Sequence, residues 1–325
     1  MGLIERWRDR LPVTDATPEL TLGEGGTPLI PAPRLSAELG AHVFLKLEGT
    51  NPTGSFKDRG MVVAMACAAE RGAKAVVCAS TGNTAASAAA YAARAGLRTL
   101  VLHPAGAVAG PKLAQARIVG ADVVPVDGSF DDTLRLAHEA VEYGYIVVNS
   151  GYNTDRIAGQ RTAAYELVEQ LGAAPDVVAL PYGGGGNTVA YSSGFAVEDV
   201  RVHLVAGESD QRPTTLASAI RIGEPVHIAD VEASGAEVVT ISDEQIVAAW
   251  RDLARLEGVF CEPSSAAGLA ALRARLPRAG ATVVCVLTGS GLKDIAAVEQ
   301  LVPASATVPA RIDAILEALG LEAPQ

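Results

Sequence analysis

The sequence predicts an α/β protein with parallel sheets flanked by helices. Along its 325 residues, short Val-rich runs alternate with longer Ala-rich stretches, which is the pattern of parallel strands joined by crossover helices. Aromatic residues make up only 4% of the chain, and small apolar residues suit helices that pack closely over a sheet. Glycine-containing turns follow several of the strands, and ligands bind at such strand ends in open α/β folds.

The periodicity places the elements in order. Strands are predicted over residues 43–47, 75–79, 99–102, 122–126, 145–148, 177–180, 202–205 and 282–287. Helices are predicted over residues 55–71, 84–95, 111–119, 130–143, 161–171, 243–257, 264–276 and 311–319. The strands between residues 75 and 148 form one compact series, so we predict a smaller domain over residues 51–149. It is inserted into a larger domain made of residues 1–50 and 150–325.

Composition and motifs exclude several classes of protein. A formal net charge of −11 argues against binding to nucleic acid or to an anionic membrane. The four cysteines form no CxxC pair and the five histidines form no HExxH motif, so no metal site is predicted. Residues 1–11 lack the apolar core of a signal peptide, and no apolar run is long enough to span a bilayer. We therefore expect a cytoplasmic protein with reduced core thiols.

Lys57 is the first candidate for chemistry. It follows a turn marked by Pro52 and Gly54, and Ser55 is a suitable N-cap for the helix predicted there. The positive end of a helix and burial both disfavour an ammonium group, so both favour the neutral amine that Schiff-base chemistry requires. Taken alone, a surface lysine paired with Asp58 is the more common situation.

A run of four glycines, residues 183–186, follows an apolar strand and precedes a helix-like stretch. Glycines allow backbone N–H groups to surround an anion at a helix N-terminus, so the run predicts a phosphate site. No Gly-Lys-Ser/Thr follows it, which excludes a Walker A loop. The alternative is a flexible linker, but both neighbouring segments have the patterns of ordered elements.

Two further strand ends carry polar residues. Residues 80–84 read Ser-Thr-Gly-Asn-Thr, and their hydroxyls, amide and N–H groups suit a substrate carboxylate. An ordinary capped helix explains the same residues equally simply. Residues 288–294 begin with Thr288 after a strand that is predicted to be buried, although a plain turn is again the alternative.

Together these segments resemble the fold-type II family of pyridoxal 5′-phosphate (PLP) enzymes, which is similar to tryptophan synthase β, and within it the threonine synthase family. Residues 51–60 are similar to the PLP-lysine segment, and residues 80–87 to the Ser-Thr-Gly-Asn-Thr turn. Further similar segments are residues 23–29, 217–225, 257–267 and 288–294. The resemblance covers nearly the whole chain. It implies two open, twisted, parallel-type sheets, PLP as cofactor, a small amino-acid substrate and a homodimer.

The resemblance also implies a role for each matching residue. Lys57 is the expected Schiff-base lysine and proton shuttle, Asn83 bonds the ring hydroxyl, and Thr288 faces the pyridine nitrogen. A hydroxyl does not protonate that nitrogen as a carboxylic acid does, which favours elimination and replacement over transamination. The residues expected to hold the cofactor phosphate are Gly183, Gly184, Gly185, Gly186 and Asn187. The residues expected to bind the substrate are Ser80, Thr81, Thr84, Asn149, Ser150 and Arg156.

The implied reaction converts O-phospho-L-homoserine and water to L-threonine and phosphate, by γ-elimination and β-addition. Three departures from the family pattern concern the substrate side. Gly184 stands where the family has Asn, there is one additional residue between Ser150 and Arg156, and residues 197–215 are shorter than expected.

Gly184 favours an alternative, a serine or threonine dehydratase or a β/γ-replacement enzyme of a specialised pathway, because all-glycine loops resemble those of dehydratases. Arg156 favours the leading hypothesis, because a guanidinium fork suits a dianionic phosphate. A non-catalytic protein on this fold is disfavoured by the presence of Lys57, Asn83 and Thr288.

Overall fold

The structure is a computed structural model that describes residues 1–106, 110–302 and 306–321. It consists of two compact units, Met1–Asp294 and Ile295–Gln325. In chain order the strands are β1 (Leu29–Pro31), β2 (His42–Leu47), β3 (Ala75–Ala79), β4 (Arg98–Pro104), β5 (Asp122–Val126), β6 (Tyr145–Val147), β7 (Val177–Pro181), β8 (His203–Ser209), β9 (Glu237–Ile241) and β10 (Thr282–Leu287).

Helices separate most of the strands, as the alternating pattern predicts. The first unit contains α1 (Leu3–Trp7), α2 (Pro33–Leu39), α3 (Lys57–Glu70), α4 (Asn83–Ala95), α5 (Pro111–Ile118), α6 (Phe130–Glu139), α7 (Thr154–Leu171), α8 (Gly186–Val197), α9 (Ile228–Ser234), α10 (Asp243–Glu257) and α11 (Ala267–Ala274). The second unit contains α12 (Ile295–Leu301) and α13 (Ile312–Ala318). Short 3₁₀ turns include Ala140–Tyr143 and Pro263–Ala266, which complete two of the predicted helices.

The larger sheet has six strands in the order β1-β2-β10-β7-β8-β9. β1 pairs antiparallel with β2, and the other pairs are parallel. Every residue of β7 is buried, and so is every residue of β10 except Thr282. These strands read as continuous apolar runs because helices cover both faces of a parallel sheet.

The smaller sheet has four strands in the order β5-β4-β3-β6, all parallel. The α/β class and the two parallel-type sheets are therefore confirmed. All four strands fall within residues 51–149, while the domain boundaries themselves stay a prediction.

Two strands and several short helices were not predicted. β1 has only three residues and ends in a proline, so it offers no periodicity to read. β9 begins with Glu237 and lies at a sheet edge, where three of its five residues are not buried. α7 begins seven residues before the predicted start, at Thr154, because the Asn153 side chain accepts a hydrogen bond from the Arg156 N–H over 3.2 Å.

The close packing of α3 on α7 depends on two glycines. A Cβ on Gly60 would stand 2.5 Å from the carbonyl oxygen of Arg156, and a Cβ on Gly159 would stand 2.2 Å from that of Arg59. Neither position has room for a side chain. The two helices therefore bring Lys57 and Arg156, which lie near their N-termini, into one region of the molecule.

Buried charges fix the start of α3 to the larger sheet. The Arg59 guanidinium donates to Glu48 and Glu166, with its shortest hydrogen bond to each at 2.7 Å, and Lys46 Nζ lies 3.0 Å from Glu166. All four side chains are at most 2% exposed. The guanidinium charge holds the pKa of Glu166 down at about 2 although burial acts in the opposite direction.

Within the described residues, no helix is both long and apolar enough to cross a bilayer. The same part of the chain contains no cluster of His, Cys, Asp and Glu side chains arranged to hold a metal ion.

Candidate active site

The site lies where the carboxyl ends of neighbouring parallel strands meet. β2, β10 and β7 are adjacent in the larger sheet, and they lead to the lysine segment, to Thr288 and to the glycine run. In the smaller sheet, the adjacent strands β3 and β6 lead to residues 80–84 and to Asn149. The predicted site residues are far apart in sequence, and the topology of the two sheets collects them at strand ends.

Lys57 is the first residue of α3 and is partly buried. Its Nζ atom lies 4.3 Å from the centre of the Phe56 ring. Burial and, to a smaller extent, the positive charge of Arg156 lower the pKa of Lys57 from 10.5 to about 7, although the negative charge of Glu262 acts in the opposite direction. A large fraction of this amine is therefore neutral near pH 7, as a nucleophile requires.

Asp58 does not pair with Lys57. Its buried carboxylate accepts hydrogen bonds from Thr53 N at 2.7 Å, Thr53 Oγ1 at 2.5 Å and Ser87 Oγ at 2.6 Å. Burial raises the pKa of Asp58 to about 6. Asp58 thus holds the turn before α3 against α4, and the alternative of a surface Lys57–Asp58 pair does not apply.

The prediction that Ser55 caps α3 is wrong. Phe56 is the N-cap residue and no side chain caps the helix. Ser55 instead forms a bridge with Gly289, and Phe56 N donates to the Thr288 carbonyl over 3.0 Å. The hydroxyl of Ser55 is buried and finds no partner among the described residues. Because this segment adds to the end of β10, tertiary pairing replaces a local cap.

Asn83 opens α4 and is 4% exposed. Its Nδ2 donates to Glu262 Oε1 over 2.9 Å, while Oδ1 is buried without a partner in the described chain. Glu262 also forms an ion pair with Lys112 at 3.0 Å. A carboxylate therefore fixes the orientation of the Asn83 amide.

The glycine run forms a cradle at the start of α8. Gly185 is the N-cap with φ of +87°, a conformation that L side chains rarely adopt. A Cβ on Gly183 would stand 3.3 Å from Ile220 Cα, so that position is tight as well. The first-turn N–H groups of a helix have no partners within the helix and attract anions. Nearby, Asn187 Nδ2 and Thr188 Oγ1 are buried and make no hydrogen bond to the described residues.

Thr288 is 5% exposed and directly follows β10. Its Oγ1 lies 3.0 Å from Ser265 Oγ, and Ser265 Oγ also accepts a hydrogen bond from Gly289 N over 3.0 Å. Ser265 therefore fixes the Thr288 rotamer, so the Thr288 hydroxyl has a defined direction.

Arg156 is a buried cation with an incomplete set of partners. The residue is 1% exposed, and Nη1 donates to the Val148 carbonyl over 2.7 Å. Nε and Nη2 are buried with no hydrogen-bond acceptor among the described residues. Burial lowers the pKa of Arg156 to about 10, which leaves the group charged at neutral pH. An uncompensated buried charge is costly, so this arrangement favours an incoming anion.

The other predicted substrate residues differ in their availability. Both ends of the Asn149 amide are bound to the Ala79 backbone, at 3.0 Å and 2.9 Å. Asn149 therefore joins β3 to the segment after β6, and both Oδ1 and Nδ2 of its amide are engaged by Ala79. Ser80 Oγ accepts a hydrogen bond from Gly82 N over 3.0 Å. Thr81 is exposed, whereas Thr84 and Ser150 are half-buried.

The comparisons with known proteins agree with this geometry. Residues 20–289 match the family model described as pyridoxal-phosphate dependent enzyme. The chain is 47% identical to threonine synthase of Mycobacterium leprae (strain TN), over 98% of the chain and 96% of the relative. It is 48% identical to threonine synthase of Synechocystis sp. (strain ATCC 27184 / PCC 6803 / Kazusa), over 90% of the chain and 83% of the relative.

The chain belongs to the pyridoxal-phosphate dependent enzymes and, within them, to the threonine synthase family. The fold agrees with a solved structure of cysteine synthase from Entamoeba histolytica, with a TM-score of 0.77, 19% identity and coverage of 96% of this chain and 99% of that chain. At that identity the structural match supports the fold alone.

The residues of this threonine synthase-family site fit the PLP cofactor. The cofactor has an aldehyde, which a neutral amine attacks, and Lys57 has the lowered pKa that supplies one. Its phosphate suits the helix N-terminus at Gly186. The ring hydroxyl and the ring nitrogen are suited to Asn83 and Thr288, both of which are buried and held by neighbouring side chains.

Sequence reasoning did not single out several residues that support the site. Glu262 and Ser265 lie within residues 257–267, a segment that was matched to the family without any individual role. Lys112 and His227 gave no signal in the sequence. Their importance depends on contacts between elements that are distant along the chain.

Proposed function

We propose that this enzyme converts O-phospho-L-homoserine and water to L-threonine and phosphate. The observation that carries this proposal is the buried Arg156 guanidinium, with two nitrogen atoms that lack acceptors in the described chain. A dianionic phosphate would supply both the missing charge and the missing acceptors. The relatives named threonine synthase support the same reaction.

When bound, PLP supplies an electron sink that stabilises negative charge at the carbon atoms next to the amino group. Lys57 Nζ then removes the substrate Cα proton and later returns a proton, because its lowered pKa allows it to act as a base near pH 7. Arg156 binds the phosphate that leaves from Cγ. A Cβ proton is lost as the phosphate departs with its bonding electron pair, a proton then adds at Cγ, and the hydroxyl of water adds at Cβ. The Cβ proton and the remaining proton of water balance the protons gained by Cγ and by the departing phosphate.

Three parts of the chain position the remaining substrate groups. The N-terminus of α4, with Ser80, Thr81 and Thr84, faces the strand ends of the smaller sheet and suits the substrate carboxylate. Ser150 adds a hydroxyl close to α8, because its Cβ stands 3.5 Å from where a Gly186 Cβ would be. We propose that Asn149 acts indirectly, since its amide is engaged with Ala79.

The dehydratase alternative depends on Gly184, which offers no side chain to a substrate phosphate. Arg156 and the named relatives favour the threonine synthase reaction. The deciding experiment measures phosphate release from O-phosphohomoserine and keto-acid formation from serine and threonine with the same holoenzyme. Phosphate release with threonine as product supports the proposal, while keto-acid formation without phosphate release contradicts it.

We also propose a cytoplasmic location and a homodimer. The four buried, unpaired thiols of Cys67, Cys78, Cys261 and Cys285 support a reducing compartment. The homodimer is supported by the family resemblance. Cell fractionation tests the location, and analytical ultracentrifugation of the holoenzyme tests the dimer.

A further inference from the structure

His227 lies beside the phosphate cradle although it is distant from it in sequence. It is the residue before α9, and its backbone N–H donates to the Gly184 carbonyl over 3.1 Å. Its side chain is only 11% exposed. Nδ1 lies 3.1 Å from Asp230 Oδ2. The backbone contact and the carboxylate together fix both the position and the rotation of the imidazole ring.

The other ring nitrogen lies close to the first residue of α8 and to Ser150. Nε2 is buried and makes no hydrogen bond to the described residues. The place where a Gly186 Cβ would stand is 3.5 Å from Nε2, 3.5 Å from Ser150 Cβ and 3.3 Å from Ile157 Cδ1. His227 Nε2 and Ser150 therefore both lie next to Gly186, the first residue of α8. Ile157, which follows Arg156 in α7, lies beside the same residue.

We propose that His227 Nε2, together with Arg156, binds the phosphate group of the substrate and thereby determines specificity. This inference rests on the proposed function. The Asp230 carboxylate favours a proton on Nδ1. Nε2 of a neutral ring can then accept a hydrogen bond from a phosphate monoanion, and Nε2–H of a protonated ring can donate a hydrogen bond to a phosphate dianion. In either state one proton is shared between Nε2 and a phosphate oxygen, which satisfies a nitrogen atom that is otherwise buried without a partner.

His227 supplies a polar group that the loop itself lacks at this point. Gly184 accepts the His227 N–H but has no side chain, and a Cβ there would meet only Ile222 Cδ1, at 3.6 Å. Nε2 is shielded from solvent in this conformation. Substrate binding must therefore include a local opening, and site hydrogen bonds commonly tighten only in the complex.

A pair of substitutions separates the two ring nitrogens. His227→Asn keeps an amide near the Nδ1 position, towards Asp230, and removes the group at Nε2. His227→Gln places an amide near the Nε2 position. The control is His203→Asn, a histidine with a 50% exposed side chain that pairs with Glu237 on the protein surface. All variants are prepared as holoenzymes, so that the cofactor fills its own phosphate site.

Two measurements are made on each holoenzyme: binding of inorganic phosphate by calorimetry, and kcat and KM for O-phosphohomoserine. We expect His227→Asn to weaken phosphate binding and raise KM by roughly ten- to a hundredfold. His227→Gln should recover a substantial part of both, and His203→Asn should match the parent. Visible absorbance should be the same in all variants, because the inference places Nε2 at the substrate phosphate. A loss of absorbance in His227→Asn would place Nε2 at the cofactor phosphate and overturn the inference.

The outcomes distinguish this inference from the proposed function. If the parent releases no phosphate from O-phosphohomoserine, the proposed function fails, and phosphate binding still decides the role of His227. Parent-like phosphate affinity in His227→Asn would overturn the role of His227. An equal loss in His227→Asn and His227→Gln would also overturn it, because the ring would then be only a structural support.

Discussion

The backbone N–H of Phe56 donates to the carbonyl oxygen of Thr288 over 3.0 Å. This single hydrogen bond joins the segment that carries Lys57, the proposed Schiff-base lysine, to the segment expected to face the pyridine nitrogen. The Ser55–Gly289 bridge lies directly beside it. The same stretch of backbone pairing therefore positions the Lys57 amine and the Thr288 hydroxyl. A shift of either segment would move both groups.

Lys57 should be the site of covalent attachment. The purified holoenzyme should absorb visible light, and borohydride reduction should fix the cofactor on the peptide that contains Lys57. Lys57→Ala should lose the covalent link and nearly all turnover, because one group serves as both anchor and base. Peptide mapping by mass spectrometry checks this. Labelling at Lys46, Lys112 or Lys293 would show that the assignment is incorrect.

The lowered pKa of Lys57 should govern how the apoenzyme takes up PLP. The neutral amine fraction rises with pH through about 7, so the rate of reconstitution should climb below pH 7 and level off above it. A lysine with an ordinary pKa would give a rate that still climbs at pH 9. Stopped-flow absorbance at a series of pH values measures this rate.

The same shift links pH to the stability of the apoenzyme. The pKa of Lys57 is about 7 in the folded state against an ordinary 10.5, so the unfolded chain binds more protons between these values. The contribution of Lys57 to stability is therefore complete above pH 10.5 and is lost as pH falls towards 7. Lys57→Met should stabilise the apoenzyme more at pH 7 than at pH 10 in urea unfolding. An equal effect at both values would contradict the shifted pKa.

Thr288 should control the choice between reactions. Thr288→Ser should retain much of the activity, because a hydroxyl remains within reach of Ser265. Thr288→Asp should increase side products, because a carboxylate favours a protonated ring. The ratio of threonine to keto acid, measured by chromatography, reports the change. Parent-like behaviour of Thr288→Ala would mean that this hydroxyl does not face the ring.

Arg156→Leu should lower kcat/KM for O-phosphohomoserine by roughly ten- to a hundredfold or more, the effect of losing a charge-assisted hydrogen bond to phosphate. Cofactor content, measured from visible absorbance, should not change. The matched control is Arg71→Leu. The Arg71 side chain is 56% exposed and forms an ion pair with Asp155, the neighbour of Arg156 in α7. An equal loss in the two variants would indicate a general effect on α7.

Gly184 and Gly185 should respond differently to substitution. A Cβ on Gly184 has ordinary contact with Ile222 only, at 3.6 Å, so Gly184→Asn should fold with little change in Tm. Its amide should lower KM for O-phosphohomoserine. Gly185 has φ of +87° and its Cβ would stand 3.0 Å from His227 Cβ. Gly185→Asn should therefore destabilise the protein by about 1–3 kcal/mol in urea unfolding. Equal stability losses would show that the Gly184 position is also closed.

The sequence by itself determined the fold class, the strands that carry the site and the three segments that are proposed to bind the cofactor. These features depend on local patterns: apolar runs, glycines that follow strands, and residues 51–60, which match a known lysine segment. A buried parallel strand such as β7 is apolar at every position, so its sequence alone reveals it.

Only the tertiary structure decided which polar groups are free. Ser55 looks like a helix cap in sequence, but pairing with Gly289 takes its place. Asn149 looks like a ligand, but its amide is bound to the Ala79 backbone. Arg156 and His227 keep buried nitrogen atoms without partners in the described chain. A hydrogen bond depends on the distance between groups that are far apart in sequence, and local pattern carries no information about that distance.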